Sequence, residues 1–208
     1  MSANAARTGT VYLVGAGPGD PGLVTVRGRE LLASCDTIVY DALVNPIIVS
    51  DEWIGRETEA EKIFVGKRGG APSMEQSAIT ALLLDLARAG KNVVRLKGGD
   101  PMVFGRGGEE AIALAEAKLA FEVIPGVTAG VAAPAYAGIP VTHRGVSTAV
   151  TFITGHEDPG KETDQTDWAA LARAGGTLVL YMGVSRLAKI AAALIEGGRA
   201  PTTPAAII

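Results

Sequence analysis

Short apolar runs bounded by glycine, proline and polar residues recur along the first part of the chain, and stretches with helical spacing of their apolar positions separate them. Val11–Val14, Thr37–Tyr40, Lys62–Val65, Val93–Leu96 and Phe121–Ile124 read as strands, and Leu23–Ser34, Leu43–Asp51, Ser73–Ala89 and Gly107–Leu119 as the helices between them. That βαβ rhythm predicts a largely parallel sheet covered on both faces, an α/β fold. The third helix is the most completely marked. Ser73 and Gln76 have capping-box spacing, Leu82, Leu83 and Leu86 form an apolar stripe, and Gly90 supplies a C-terminal stop.

Beyond Ile124 the texture changes to Pro-Gly-Val-Thr and then to an Ala/Gly-rich segment, which predicts a hinge near Pro125. Residues 1–9 read as a flexible tail, 10–125 as an N-terminal α/β lobe and 126–208 as a shorter C-terminal α/β lobe. In the second lobe Val150–Thr154 and Thr177–Met182 read as strands around a polar loop over 157–166, and Ser185–Glu196 as a helix stopped by Gly197 and Gly198. Pro204–Ile208 reads as the start of another strand, so the expectation is a C-terminal lobe that is truncated, with a further strand and helix missing. Val123–Thr142 carries no charge, but Pro125, Pro134 and Pro140 with Gly126, Gly130 and Gly138 break it, and it reads as buried loop and helix rather than a membrane span.

Composition narrows the function. Of 208 residues, 48% are hydrophobic and 20% charged, which excludes the disordered and fibrous classes. The formal charge of −3 argues against a nucleic-acid binder that works through a broad basic field. One cysteine, Cys35, cannot form an internal disulfide, and two histidines provide no zinc-ligand spacing, so no metal site is expected. The N-terminal residues carry no apolar run, and the setting implied is reducing and cytoplasmic.

Candidate chemistry gathers at the carboxyl ends of the strands. The first runs into Gly15-Ala-Gly-Pro-Gly-Asp20-Pro-Gly22, where α/β sheets place their ligand crevice. A dinucleotide fingerprint wants glycine where Asp20 stands, so a tight strand-to-helix turn fixed by Pro18 and Pro21 is a serious competitor. The fourth strand ends in a second glycine-rich loop containing Gly98, Gly99, Asp100, Arg106 and the pair Glu109 and Glu110, which reads either as a ligand cradle or as a strand end followed by helix-capping acids. Lys67, Arg68, Lys97, Arg106, His143 and Arg144 put positive charge at these turns, which suits a small ligand with several carboxylates or phosphates; solvated surface charge is the alternative. Asp41 follows the second strand and reads as a base or a helix N-cap, Lys67 as a proton-transfer group or a surface lysine, and His156 as a loop residue.

Six segments together make a resemblance: Val-Gly-Ala-Gly-Pro-Gly-Asp-Pro-Gly-Leu at 14–23, Tyr-Asp-Ala-Leu-Val at 40–44, Val-Gly-Lys-Arg-Gly-Gly at 65–70, the stretch from Arg95 to Glu110, Ile-Pro-Gly-Val-Thr-Ala-Gly at 124–130 and Gly-Ile-Pro-Val-Thr-His-Arg at 138–144. In order and spacing the chain resembles the tetrapyrrole methylases, and in particular the branch acting on uroporphyrinogen III. The resemblance implies a homodimer of two α/β lobes with the active site in the cleft between them. It also implies transfer of two methyl groups from S-adenosylmethionine to pyrrole carbons, giving precorrin-2 for sirohaem and cobalamin synthesis and S-adenosylhomocysteine as by-product. Position by position, Pro18, Gly98, Gly99, Asp100, Val103, Thr128, Ala129 and Met182 match the family's S-adenosylmethionine contacts, and Asp41 and Lys67 match residues assigned to proton transfer. Arg106 and Arg144 are the candidates for the substrate's acetate and propionate groups. Met102 departs from a position commonly aromatic in the family. The alternatives are a sister methylase acting on another tetrapyrrole, and a truncated binding or dimerisation fragment without catalysis.

Overall fold

The structure, a computed structural model, describes residues 8–55, 60–66, 74–155 and 166–208, and it divides into two units, Met1–Ala129 and Gly130–Ile208. In the first unit, strands β1 (Thr10–Gly15), β2 (Thr37–Tyr40), β3 (Glu61–Phe64), β4 (Val93–Lys97) and β5 (Ala120–Ile124) pair in parallel in the order β3-β2-β4-β1-β5. Its helices are α1 (Val26–Ser34), α2 (Asp51–Ile54), α3 (Gln76–Arg88) and α4 (Gly107–Glu116).

The two-residue period of the strands sorts their side chains into two apolar layers. Val14, Ile38, Val94, Leu96 and Ile124 pack with Leu31 and Leu32 of α1 and Ile54 of α2. Val11, Leu13, Val39 and Val93 pack on the other face with Ile79, Leu83 and Ala87 of α3 and Leu114 of α4. Each large aliphatic side chain so buried contributes about 1.5–3 kcal/mol, so these layers fix which face each helix covers. β1 therefore exits toward α1 on one face, and its neighbour β4 exits toward α4 on the other. Adjacent strands whose connections diverge in this way make a topological switch point, where open α/β sheets form their ligand crevice.

The strands lie where the sequence pattern predicts them, and the helices differ in instructive ways. No single helix forms over Leu43–Asp51. Pro46–Val49 is a 3-10 turn capped by Asn45, after which Ser50 caps α2, because the proline and two side chains that accept backbone N–H groups restart the chain twice. Before α1, Pro21–Leu23 forms its own 3-10 turn, with Asp20 accepting the Gly22 N–H at 2.7 Å. The predicted capping box does not close: α3 begins at Gln76 after Glu75, Gln76 donates to Glu110 instead of reaching back, and Ser73 lies outside the described residues. The far end of α3 is as predicted. Gly90, at φ +84°, donates to the Ala87 carbonyl at 3.0 Å and Lys91 to that of Leu86 at 3.1 Å, the paired bonds of a Schellman stop.

The second unit holds the parallel pair β6 (Val150–Thr154) and β7 (Thr177–Tyr181) with helices α5 (Ala129–Tyr136), α6 (Trp168–Ala174) and α7 (Leu187–Glu196). Sequence reading misses α6, a short helix capped by Asp167 Oδ1 on the Ala170 N–H at 2.8 Å. α5 occupies the uncharged segment, and Gly130 donates to the Tyr181 hydroxyl at 2.8 Å. Pro204–Ile208 is not a strand: it has no ladder partner among the described residues, and Ile207 and Ile208 stay exposed. No helix among the described residues is long and apolar enough to cross a membrane.

Candidate active site

At the switch point the β1–β4 ladder continues into the loops. Ala16 donates to the Lys97 carbonyl at 2.7 Å, and Gly17 and Gly99 exchange two backbone hydrogen bonds, at 3.1 Å and 2.7 Å. The two glycine-rich loops thus share one rim. Asp100 ties in a third strand: its Oδ2 accepts the Gly126 N–H just past β5 at 3.0 Å, and its Oδ1 accepts the Met102 N–H at 2.8 Å.

This geometry explains the glycine density better than ligand approach alone. A Cβ on Gly15 would lie 2.5 Å from Gly126 Cα and 2.7 Å from the Gly99 oxygen, so three main chains meet here with no room for a side chain. At Gly98 a Cβ would meet Leu43 Cβ at 2.7 Å, so the protein itself fills that space. The dinucleotide reading loses its structural context as well. The loop after β1 leads into the 3-10 turn capped by Asp20, and α1 begins only at Val26, so no helix N-terminus opens directly from the glycines.

Within the first unit, Pro18, Gly98, Gly99, Asp100, Val103, Thr128 and Ala129 come together at this carboxyl edge. Thr128 Cα stands 3.7 Å from the Cβ position of Gly99, and Val103 donates to the Asp100 carbonyl at 3.3 Å. Pro18 and Val103 are half-buried. Met182 belongs to the second unit, exposed at the end of β7 with φ +54°. Lys67, Arg68 and His156 lie outside the described residues.

Asp41 sits just past β2 and caps no helix. Its Oδ1 accepts the Leu43 N–H at 3.1 Å, its Oδ2 accepts Arg95 Nη2 at 3.3 Å, and its side chain keeps 26% exposure. Arg95 is the first member of a buried ionic cluster that sequence reading missed. Arg95 and Lys97 alternate along β4 and share the face covered by α3 and α4, where Glu110 accepts from Arg95 Nε at 3.2 Å, Lys97 Nζ at 3.1 Å and Gln76 Nε2 at 2.9 Å. Burial, seconded by the Arg95 charge, holds the Lys97 ammonium below the usual lysine range, and Glu110 opposes that shift. The signal was available: two cations two residues apart in a buried strand, and an acid on the Gly107/Leu114 face of the following helix. Glu110 is a core ligand of β4, not the capping acid that its place in the first turn suggested.

The two arginines have different settings. Arg106 begins α4 at φ +57° and pairs with Glu109 through Nε at 2.8 Å and Nη2 at 2.7 Å, which raises the arginine's pKa and lowers the glutamate's. Arg144 is exposed in the second unit, in a turn closed by reciprocal backbone bonds between His143 and Ser147, both at 2.9 Å.

The donor set at the first-unit rim suits a ligand with hydroxyl or ammonium groups beside an apolar portion. Each Asp100 oxygen uses one lone pair on a main-chain N–H, which fixes the carboxylate and leaves further acceptor capacity, and Pro18 and Val103 supply apolar surface beside it. Residues 10–208 match the model of the Tetrapyrrole (Corrin/Porphyrin) Methylases. The chain is 54% identical over 200 residues to an S-adenosyl-L-methionine-dependent uroporphyrinogen III methyltransferase of Methanosarcina barkeri, covering 96% of this chain and 77% of that protein. It is 53% identical to siroheme synthase 1 of Yersinia pseudotuberculosis, covering 96% of this chain and 41% of that longer protein. Among solved structures, the uroporphyrin-III C-methyl transferase of Thermus thermophilus complexed with S-adenyl homocysteine superposes with a TM-score of 0.75 at 42% identity, covering 93% of this chain and 74% of that one. Sequence, fold and the shared rim of the two glycine loops agree, and the chain belongs to the tetrapyrrole methylases.

Proposed function

We propose that the chain is an S-adenosylmethionine-dependent C-methyltransferase that converts uroporphyrinogen III to precorrin-2 by two successive methyl transfers, on the route to sirohaem or cobalamin. Support comes from the Methanosarcina barkeri relative, whose name carries uroporphyrinogen III methylation with S-adenosyl-L-methionine, at 54% identity over 96% of this chain. The observation within the molecule that supports the reading is the rim at the switch point, where the Gly17–Gly99 bridge and the Asp100–Gly126 bond hold the two glycine-rich loops of the first unit in one frame.

When bound, S-adenosylmethionine supplies a methyl group already activated on a sulfonium. Pro18, Gly98, Gly99, Asp100, Val103, Thr128, Ala129 and Met182 are the residues that would hold it. The protein's remaining task is to orient a nucleophilic pyrrole carbon and exclude water, which is catalysis by proximity. Asp41, fixed by Leu43 N–H and Arg95 yet partly open to solvent, is suited to hold a pyrrole N–H or take the proton released as ring charge shifts. Lys67 is the second proton-transfer group in this reading, and Arg106 and Arg144 pair with the substrate's carboxylates. The working form is a homodimer in the cytoplasm.

Incubation with methyl-labelled S-adenosylmethionine and uroporphyrinogen III tests the proposal. Two labels per macrocycle are expected from the wild type, and Asp41→Asn should slow incorporation by about 10²–10⁴-fold. Label that enters only a later, already methylated tetrapyrrole would assign a different branch of the family.

A further inference from the structure

We propose that Glu110 is a positioning residue for Asp41, acting through Arg95, an inference that rests on the reading of Asp41 as the proton-handling group. β4 is buried on both faces, and a parallel strand in that place can be apolar throughout. Arg95, Lys97 and Glu110 are instead all within 3% of full burial. Stability does not account for this arrangement, because buried ion pairs replaced by packed apolar groups are often as stable or more so.

The cluster is also not arranged for its own satisfaction. All three donors converge on Glu110 Oε1, while the buried Oε2 has no hydrogen-bond partner among the described residues. Convergence on one oxygen does something different: it fixes Arg95 at Nε. With Nη1 held by the Leu96 carbonyl at 3.2 Å and, more loosely, by that of Val39 at 3.5 Å, the planar guanidinium has one orientation, and Nη2 is its edge toward Asp41. Asp41 is the most exposed acid or base of the cluster. The buried members therefore set the direction of the one carboxylate of the cluster that a substrate can reach. Lys97 balances the second negative charge so that Glu110 can stay in the layer, and Gln76 ties the same oxygen to α3.

A double-mutant cycle tests this, with Glu110→Gln, Asp41→Asn and both together, read by steady-state methyl transfer to uroporphyrinogen III and by calorimetry with S-adenosylhomocysteine. Glu110→Gln is expected to lower kcat at least about tenfold, part of the ~10²–10⁴-fold that a placed acid–base group contributes, with KM for S-adenosylmethionine and S-adenosylhomocysteine affinity within about twofold of wild type. In the Asp41→Asn background the same change is expected to cost less than about twofold, since the group it orients is gone. An equal loss in both backgrounds, or a loss confined to KM, overturns the positioning role, while a slow Asp41→Asn enzyme keeps the Asp41 reading intact. An Asp41→Asn enzyme at wild-type rate removes Asp41 from the reaction and the inference with it. Should Glu110→Gln not fold, Gln76→Leu keeps all four charges and removes one bond to Oε1. A kcat loss of about two- to threefold that vanishes with Asp41→Asn supports the role, and an unchanged kcat overturns it.

Discussion

Asp100 and Gly126 are joined across the sheet edge: the carboxylate that ends the β4 loop accepts the main-chain N–H that follows β5, at 3.0 Å. The bond locks the loops after β1, β4 and β5 into one frame, since Gly99 is already bridged to Gly17. A side chain that matches a cofactor contact is thus also a structural brace.

Asp100→Ala should therefore fail twice. Losing two hydrogen bonds to a charged acceptor, one of them solvent-exposed, is expected to cost about 1–3 kcal/mol in urea unfolding. Calorimetry of the folded variant should show S-adenosylhomocysteine binding weakened well beyond that of a surface control. Unchanged unfolding with normal binding would mean that the brace carries nothing.

Neighbouring glycines at the start of α4 should respond with opposite sign. A Cβ at Gly107 would strike the Pro101 carbonyl oxygen, whereas at Gly108 it meets no atom within 4 Å. Gly107→Ala is expected to destabilise by about 1–3 kcal/mol through overpacking. Gly108→Ala should stabilise by about 0.5 kcal/mol through lower unfolded-state entropy and better helix propensity. Parallel urea titrations decide the matter.

The stability of Glu110→Gln should depend on pH more steeply than that of the wild type. Because Lys97 has a lowered pKa when folded, the unfolded chain binds its proton more tightly, and this group's penalty is relieved as pH rises toward the ordinary lysine value of 10.5. Removing the Glu110 charge removes the larger of the two carboxylate influences that raise Lys97, leaving only that of Asp41, so the folded value drops further and the window widens downward. A deficit of about 3–5 kcal/mol at neutral pH is expected to shrink on going to pH 10. Parallel curves for the two proteins across that range would contradict the assignment of the shift.

Arg106 and Glu109 form a pair more than half exposed on each side, so Glu109→Gln should change stability by less than about 0.5 kcal/mol. If Arg106 serves substrate carboxylates, the same variant frees its fork and should lower KM for uroporphyrinogen III, with S-adenosylmethionine KM unmoved. A raised substrate KM would argue that Glu109 aims Arg106 instead of competing for it.

The strands of the first unit were legible because short apolar runs in a parallel sheet have few competing readings, and β2 is found at its predicted bounds. Helix starts were less legible, since Asn45, Ser50 and Asp20 offer the backbone side-chain acceptors whose winner depends on packing. The meeting of the two glycine-rich loops was legible from their places at the carboxyl ends of β1 and β4. The cluster beneath them was not, because Glu110 in a first helical turn looks like a cap until the register of α4 against β4 is known.

The meeting of Gly15, Gly99 and Gly126 limits how this rim can change over generations. Neither Gly15 nor Gly126 can gain a methyl while the facing backbones stay where they are, and Gly99, which has room for one, holds a φ of +65° that L side chains rarely adopt. Stepwise drift is therefore shut out at the floor of the crevice, and variation there must be written in the side chains that surround it, Pro18, Val103 and Thr128 among them.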